Sequence, residues 1–239
     1  MTKTCVCFYG LPQRSLKYTL NNIQKNVLFD SPDVFVHTFD TKVAQCIRGQ
    51  EPPTPVCPQE ILKLNPTLYK IDSEEEFNKV FNFKLYEDFG NPFPGDPGGQ
   101  QTIHNLLREL YSVQQVWKMI PNPEQYDRIT MTRADLLFDQ PLDWIPRPGE
   151  ILTAQRPPGI LNHNDFFAIG RADSIRPWAD RLTYAVPFCL WLKDRKALWG
   201  HEGLHPETLI TYIIGRFNLD SVEIPVGARR VRATGKILN

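Results

Sequence analysis

Short apolar runs alternate with amphipathic stretches along the first part of the chain. The run TCVCFYG at residues 4–10 is almost entirely apolar and stops at a glycine, which is typical of a buried strand that leads into a loop. A second apolar run, DVFVHTFD, spans residues 33–40. Between the two runs, apolar residues recur at spacings of three and four, as on one face of a helix: Leu16, Leu20, Ile23 and Val27. This strand-helix-strand order predicts two parallel neighbouring strands.

The same patterns extend the alternation of strands and helices over most of the chain. Further strands are predicted at residues 67–72, 126–132, 151–154 and 165–170. Further helices are predicted from Ser73, over residues 101–120, from about Ala172 and over residues 206–217. Residues 221–235 are expected to form an extended edge segment, and the residues at 89–100, rich in proline and glycine, are expected to form either a plain connection or a lid. Together these elements predict an α/β fold.

The composition argues against several classes of function. With 239 residues the chain is long enough for one α/β domain with a sizeable core. Its 27 Lys and Arg residues balance 27 Asp and Glu residues, so no global positive field favours nucleic acid or an anionic membrane. No apolar run approaches the roughly 18 residues that a membrane helix needs, and the chain does not open on a leader-like segment. From the apolar runs we expect no membrane span, and from the balanced charge no nucleic-acid partner. The five cysteines, an odd number without metal-ligand spacing, indicate a reducing cytoplasm.

Polar side chains with chemical function follow several of the predicted strands. In open α/β sheets ligands bind outside the carboxyl ends of the strands, so these residues are candidates for a binding site. They are Tyr9, Gly10 and Arg14 after the first strand, Thr38 and Asp40 after the second, Arg133 and Asp135 after the fourth, and Asp165 beside the sixth. This mixture of an aromatic ring, cations and carboxylates suits a nucleoside diphosphate bound together with a divalent ion.

Each residue type has its own role in such a site. Tyr9 can stack on a base or sugar, and Asp40 can accept hydrogen bonds from a base edge or from ribose hydroxyls. Arg14 and Arg133 can neutralise phosphate, and Asp135 can hold Mg²⁺ or Mn²⁺, whose other ligands come from phosphate and water. The plainer alternative is that the acids belong to turns and that Arg14 is a solvated residue at the start of a helix.

Five stretches carry a resemblance to a known family: CVCFYGLPQRSLKYTLNNI, DVFVHTFD, LLRELYSVQQVWKMI, YDRITMTRADLLFDQPL and HNDFFAIG. In this order they resemble nucleotide-sugar-dependent glycosyltransferases with the GT-A fold, and more narrowly the small soluble enzymes of large DNA viruses and of bacterial surface-glycan clusters. The resemblance covers most of residues 4–182 and fades towards the C-terminus. It implies a single GT-A-like domain over residues 1–239, with a mostly parallel mixed sheet flanked by helices. A Rossmann-like half at about 1–135 would bind the donor nucleotide, and a half at about 136–239 would bind the acceptor.

The resemblance also implies a reaction and its cofactor. Such an enzyme moves a sugar from a nucleoside diphosphate sugar, here a UDP- or GDP-sugar, to a hydroxyl of a glycan or glycoprotein acceptor. In the family an Asp-x-Asp motif holds a divalent metal at the diphosphate, whereas the equivalent stretch here is Arg133-Ala134-Asp135. Asp135 is thus expected to hold Mn²⁺ or Mg²⁺, with His201 as a ligand from the C-terminal segment. Arg133, at the place of the first acid, is an alternative means of neutralising phosphate.

The same resemblance places the catalytic base. An inverting transfer needs a carboxylate that accepts the proton of the acceptor hydroxyl, and Asp165 is the expected base, with Glu202 in reserve. Trp199 is a candidate for stacking on an acceptor sugar. One alternative is a nucleotidyltransferase, although YGLPQR lacks the glycine-rich loop with a nearby lysine that such an enzyme normally carries after its first strand. The other is a catalytically inactive glycan-binding scaffold with the same fold.

Overall fold

The computed structural model describes residues 2–46, 51–93, 95, 98–155, 163–195 and 201–238 of the chain. Within these residues the strands are β1 (Thr4–Tyr9), β2 (Asp33–Phe39), β3 (Val43–Cys46), β4 (Glu51–Pro55), β5 (Leu68–Asp72), β6 (Arg128–Arg133), β7 (Leu136–Phe138), β8 (Glu150–Ala154), β9 (Phe167–Gly170), β10 (Asp220–Ile224), β11 (Ala228–Val231) and β12 (Ile237–Leu238). The α-helices are α1 (Leu16–Asn26), α2 (Glu74–Val80), α3 (Phe83–Glu87), α4 (Gly99–Lys118), α5 (Ala172–Ala179), α6 (Arg181–Lys193) and α7 (Pro206–Phe217). Three short 3₁₀ helices are Pro12–Arg14, Pro58–Leu64 and Pro123–Gln125.

Seven strands form the central sheet, in the order β10-β8-β9-β6-β1-β2-β5. Neighbouring strands are parallel except at β9, which runs antiparallel to both β6 and β8. The expected mostly parallel mixed sheet flanked by helices is therefore confirmed. Because β9 is reversed, the residues that precede it lie at the same edge of the sheet as the carboxyl ends of the other six strands. We call this edge the carboxyl edge.

β1 lies in the middle of the sheet and is covered on both faces. All six of its residues are buried, as expected of a parallel strand with helices on either side. Val6 and Phe8 pack in an apolar core with α1, whereas Cys5 and Cys7 pack in a second core with α4. The alternation of side chains along one strand thus fixes the two helices on opposite faces of the sheet.

The segment after α7 contributes to two different sheets. β10 pairs with β8 at the edge of the central sheet, and β11 then pairs antiparallel with β7, which follows β6 directly. The backbone N–H of Val231 donates to the carbonyl oxygen of Asp135 at 2.7 Å. The expected single extended segment at 221–235 is therefore divided in two, because Pro225 and Gly227 lie between the strands. This division carries residues 228–233 to the carboxyl edge.

Two further expectations concern the proline- and glycine-rich segment before α4 and membrane-spanning helices. Residues 94, 96 and 97 of the expected loop or lid at 89–100 lie outside the described residues, and α4 begins at Gly99. None of the described helices is both long and apolar enough to span a membrane.

A buried hydrogen-bond network ties α4 to the two central strands. Ser112 of α4 accepts the backbone N–H of Gly10 at 2.8 Å, and its hydroxyl lies 2.9 Å from Nδ1 of His37 on β2. Nε2 of His37 lies 3.1 Å from Oδ2 of Asp72, which also accepts the hydroxyl of Tyr111 at 3.0 Å. The network therefore fixes the turn after β1 relative to α4.

This network makes the stability of the fold sensitive to acid. Burial lowers the pKa of His37 from 6.5 to about 4, although the hydrogen bond to Asp72 acts in the opposite direction. Since the unfolded chain binds a proton at His37 more readily, this residue's contribution to stability is complete above pH 6.5 and is lost as the pH falls towards 4. We expect the free energy of unfolding, measured in urea, to fall by about 3 kcal/mol over this window because of His37. His37→Gln should lose that part of the pH dependence, and a variant with the full wild-type slope would contradict the assignment.

Candidate active site

A cavity of about 470 Å³ lies at the carboxyl edge of the sheet. It is lined by residues at the ends of β1, β2 and β6, by β3 and by the first half of α4. The β2 and β3 side supplies the apolar side chains of Phe39, Val43 and Ala44, and the other sides are mostly polar or charged. Its volume falls in the range of roughly 300–1,000 Å³ that is usual for small-molecule sites.

Five of the residues expected from the sequence line this cavity: Tyr9, Gly10, Arg14, Arg133 and Asp135. Tyr9 is only 1% exposed, so it forms part of the wall and offers little surface for stacking. Gly10 has a φ of 81°, a left-handed conformation that favours glycine, and this turn brings the chain from β1 to the rim of the cavity.

Two other expected residues lie near the cavity without lining it. The side chain of Thr38 is fully buried, and its hydroxyl lies 3.0 Å from the carbonyl oxygen of Gly10. Asp40 is exposed, and its Oδ1 accepts the backbone N–H of Glu74 at 2.9 Å, at the start of α2. In this arrangement Thr38 supports the turn at Gly10, and Asp40 stabilises the N-terminus of a helix.

Arg133 lies between two carboxylates in the wall of the cavity. Its Nε and Nη2 donate to the two carboxylate oxygens of Asp135 at 2.8 and 2.7 Å, and its Nη1 donates to Oε2 of Glu109 at 2.8 Å. Burial on its own would raise the pKa of Asp135, but the guanidinium of Arg133 outweighs burial and holds that pKa well below its usual range. For Glu109 burial is the stronger influence, and it raises the pKa of that carboxyl despite Arg133. Asp135 is therefore a permanent anion, whereas Glu109 takes up a proton more readily than an exposed glutamate.

The residues of this cluster do not fit the divalent ion that the family resemblance implies. Both carboxylate oxygens of Asp135 are engaged by Arg133, whose positive charge would repel a metal ion on the same group. Arg133 stands where the family has its first acid, and a guanidinium offers no ligand atom to a metal. Within the described ranges, no group of three or more His, Cys, Asp or Glu side chains could hold a metal ion. The metal role expected of Asp135 and His201 stays a prediction that this arrangement does not support.

Arg14 is held by a buried carboxylate from the β3–β4 hairpin. Glu51 is 5% exposed and forms an ion pair with Arg14. Its Oε1 accepts the backbone N–H of Ala233 at 2.5 Å, and Nη1 of Arg232 lies 3.8 Å from its Oε2. Glu51 thus joins the turn after β1, the hairpin and the C-terminal segment at one end of the cavity.

Asp165 reaches the carboxyl edge because β9 is antiparallel. Phe167 of β9 pairs with Thr132 at the end of β6, so Asp165 lies next to the end of that strand. Its side chain is buried, and its Oδ1 lies 3.8 Å from Nη2 of Arg230 on β11. The sequence placed Asp165 beside the sixth predicted strand, which is β9, and the pairing of β9 with β6 puts it next to Arg133 and Asp135 at the carboxyl edge. Arg230 is a neighbour that the sequence did not indicate.

Arg181, the first residue of α6, brings a fully buried guanidinium to the same place. It is 1% exposed, and its Nε donates to the carbonyl oxygen of Trp178 at 2.8 Å. The guanidinium also lies over the indole ring of Trp178, 3.8 Å from its centroid. Burial lowers the pKa of Arg181, and the nearby Glu109 and Asp165 act in the opposite direction.

His201 and Glu202 lie near the start of α7, outside the described lining of the cavity. Nε2 of His201 lies 2.9 Å from Oγ1 of Thr208, and its ring is 4.5 Å from that of His205, centroid to centroid. Glu202 is exposed. Trp199, the candidate for stacking on an acceptor sugar, lies outside the described residues.

The charged residues around the cavity form one electrostatic cluster, which we call the arginine-acid cluster. Its members share ion pairs or act on one another's pKa. The cations are Arg14, Arg133, Arg181, Arg230 and Arg232, and the anions are Glu51, Glu109, Asp135 and Asp165. Among the described residues, five guanidinium groups therefore face four carboxylates. The fully ionised cluster carries an excess of one positive charge. Its four members that line the cavity, Arg14, Arg133, Glu109 and Asp135, balance one another. Glu74 and Arg108, which also line the cavity, pair with each other.

Several members of the arginine-acid cluster were not expected from the sequence: Glu51, Glu109, Arg181, Arg230 and Arg232. Two patterns could have indicated part of this set. Arg230 and Arg232 alternate along an extended segment, so they face the same side. Glu109 follows Gln101 and Asn105, two other cavity residues of α4, at spacings of four, so the three lie on one face of that helix.

Comparisons with known proteins yield likenesses to solved structures, among them the following two. No family model matches the chain, and no curated protein matches it. Among solved structures the chain is similar to the apo form of mouse xyloside xylosyltransferase 1, with a TM-score of 0.48 and 11% sequence identity over 93% of this chain and 84% of that one. It is also similar to the apo form of the glycosyltransferase GlyE of Streptococcus pneumoniae TIGR4, with a TM-score of 0.44 and 9% identity over 93% of this chain and 46% of that one. Both are named as glycosyltransferases, the class that the sequence resembles, but likenesses at this level assign neither a family nor an activity.

The contact between Arg133 and Asp135 predicts a large effect on stability. Asp135→Ala leaves the half-buried guanidinium without its bidentate partner, so we expect the free energy of unfolding to fall by about 3 kcal/mol. Urea unfolding followed by circular dichroism measures this change. Arg147→Ala is the control, because Arg147 is 74% exposed in its ion pair with Glu150, and it should lower the free energy of unfolding much less. Equal effects of the two variants would contradict a structural role for the buried pair.

Proposed function

We propose that the chain transfers a sugar, a hexose or a pentose, from a UDP- or GDP-sugar to a hydroxyl of a glycan or glycoprotein acceptor. The observation that carries this proposal is the cavity at the carboxyl edge, where the guanidinium groups of Arg14 and Arg133 lie opposite an apolar wall. A nucleoside diphosphate combines a flat base with an anionic diphosphate, so it matches both parts of the cavity. The stretches that resemble glycosyltransferases, YDRITMTRADLLFDQPL and HNDFFAIG, supply Arg133, Asp135 and Asp165 to the arginine-acid cluster.

In this proposal the donor lies across the ends of β1, β2 and β6. The base and ribose contact Phe39 and residues 43–45 of β3, and the diphosphate lies towards Arg133. All described lining residues of the cavity fall between Tyr9 and Asp135, which agrees with a donor-binding half at about 1–135 and leaves about 136–239 for the acceptor.

The guanidinium groups serve the departure of the diphosphate. When the acceptor oxygen attacks C1 of the sugar, the bond from C1 to the phosphate oxygen breaks and its electron pair stays on the diphosphate. Fixed cations such as Arg133, already in position before the reaction, stabilise the charge that develops there. Their bonds to phosphate oxygens are charge-assisted and stronger than bonds between neutral groups.

A carboxylate has to accept the proton of the attacking hydroxyl. Asp165 is our assignment, because it lies at the carboxyl edge and its 3.8 Å distance from Arg230 is longer than a hydrogen bond. Glu202, which is exposed near α7, is the reserve base. The structure adds Glu109, which lines the cavity and whose pKa is raised by burial, but this carboxyl already bonds to Arg133.

The donor can be identified by release of its nucleotide. The purified chain, incubated with a panel of UDP- and GDP-sugars, is expected to release UDP or GDP from at least one of them, and faster when a glycan hydroxyl is present. Chromatography of the nucleotides measures the release. A chain that neither binds nor turns over any donor would be the inactive glycan-binding scaffold, and pyrophosphate release from a nucleoside triphosphate and a sugar phosphate would indicate a nucleotidyltransferase.

The base can be identified by isosteric substitution. Asp165→Asn removes the proton acceptor and keeps the shape of the side chain, so the transfer rate should fall by about 100-fold or more while donor affinity is largely retained. Glu202→Gln is the matched variant, and a large loss there with little loss at Asp165 would transfer the role to Glu202. Loss of donor affinity in Asp165→Asn would make Asp165 a binding residue.

A further inference from the structure

We infer that this chain binds the diphosphate of its donor without a divalent ion, through the guanidinium of Arg133. The inference rests on the proposed function, because it concerns how the same cavity holds a nucleoside diphosphate. It departs from the Asp-x-Asp arrangement that the resemblance implies, in which acids hold the ion. Three properties of Arg133 support it: the hydrogen-bond donors that it has left, the charges around its partner Asp135, and its fixed position.

Arg133 has N–H groups left for a ligand. A guanidinium carries five N–H donors, and the bonds to Asp135 and Glu109 use three of them. The side chain lines the cavity and is 14% exposed, so the two other donors can reach a ligand there. Two N–H groups on one planar fork match two phosphate oxygens.

The charges around Asp135 favour an anion over a metal ion. Besides Arg133, the guanidinium groups of Arg230 and Arg14 act on this carboxylate. A divalent ion at Asp135 would have to approach three cations, and the same cations attract a diphosphate. Each of them also faces another carboxylate of the arginine-acid cluster, so the preference rests on the contact of Arg133 with both oxygens of Asp135. The carboxylate that the family uses as a metal ligand is here the partner of an arginine.

Arg133 is also held in place before any ligand arrives. Asp135 is 4% exposed and accepts hydrogen bonds from two nitrogens of the guanidinium, and Glu109 on α4 accepts one from the third nitrogen. The backbone of Asp135 is itself fixed by the N–H of Val231 at 2.7 Å. A cation fixed on two sides loses little conformational freedom when it binds phosphate. A metal ion already held by the protein would likewise offer a fixed positive charge to the phosphate.

Calorimetric titration of UDP and of GDP into the full chain tests the inference. Each nucleotide is titrated once in EDTA and once with Mn²⁺ in place of EDTA. We expect one of them to bind in EDTA, and Mn²⁺ should change its affinity by less than about threefold. This is well below the roughly tenfold change in affinity that corresponds to one lost charge-assisted hydrogen bond. Electron paramagnetic resonance of Mn²⁺ should show no more bound ion with chain and nucleotide together than with the nucleotide alone.

Variants assign the effect to Arg133. Arg133→Ala should lower the affinity in EDTA by about 10- to 100-fold, the range for charge-assisted hydrogen bonds. Arg133→Lys keeps the charge and loses the fork, so it should show a smaller loss and is the variant to use if the alanine protein does not fold. The control is Arg147→Ala, which removes an exposed arginine that precedes β8, at the opposite edge of the sheet, and should leave the affinity unchanged.

The outcomes separate the inference from the function on which it rests. Binding of UDP or GDP that requires Mn²⁺, or full affinity of both Arg133 variants in EDTA, overturns the inference and leaves the proposed function standing. Failure of both nucleotides to bind under either condition overturns the proposed function, and the inference with it.

Discussion

The bidentate contact between Arg133 and Asp135 allows ionised side chains to lie at the carboxyl end of β6, in the middle of the central sheet. β6 is buried along almost its whole length, and a lone ion at its end would lose its hydration at a cost of several kcal/mol. Arg133 and Asp135 satisfy each other, and Glu109 of α4 bonds to the same guanidinium. The apolar cores on the two faces of the sheet therefore reach up to the carboxyl edge, and the charged groups are confined to one fixed layer above them.

The rest of this layer depends on two features of the topology. The reversed direction of β9 brings Asp165 to an edge that otherwise consists of carboxyl ends of strands. The pairing of β11 with β7 then adds Arg230 beside Asp165 and Arg232 beside Glu51. Residues that are far apart in the chain become ionic partners only because both features are present, so the arginine-acid cluster is a property of the whole fold and not of one motif.

Much of the fold could be predicted from the sequence, because its signals are local. The apolar run TCVCFYG became β1, and the apolar stripe over residues 101–120 became α4, within a few residues of the expected bounds. Arg133 and Asp135 could be found as cavity residues because the rule that ligands bind at carboxyl ends needs only the order of strands. The sequence did not predict that these two residues pair with each other. An arginine and an acid two positions apart can form an ion pair, or each can bind a separate part of a ligand.

What could not be predicted depends on partners distant in sequence or on ambiguous local signals. Glu51 accepts a hydrogen bond from a backbone group 182 positions away, and no local spacing encodes such a contact. The hairpin strand β4, EPPTP, contains three prolines and so has little in common with a typical strand. Asp40 follows a strand and precedes a helix, and the sequence does not distinguish an acid that meets a ligand from one that stabilises the helix N-terminus.

The late position of Arg230 and Arg232 in the chain has a consequence for biosynthesis. Glu51, Asp135 and Asp165 leave the ribosome well before these two arginines are made. Until then the described members of the arginine-acid cluster consist of four carboxylates and three guanidinium groups, so their net charge is negative and becomes positive only when both arginines join. In a nascent chain that has already formed β1 to β9, the cluster therefore carries the opposite sign of charge, and the C-terminal strands reverse that sign when they add Arg230 and Arg232.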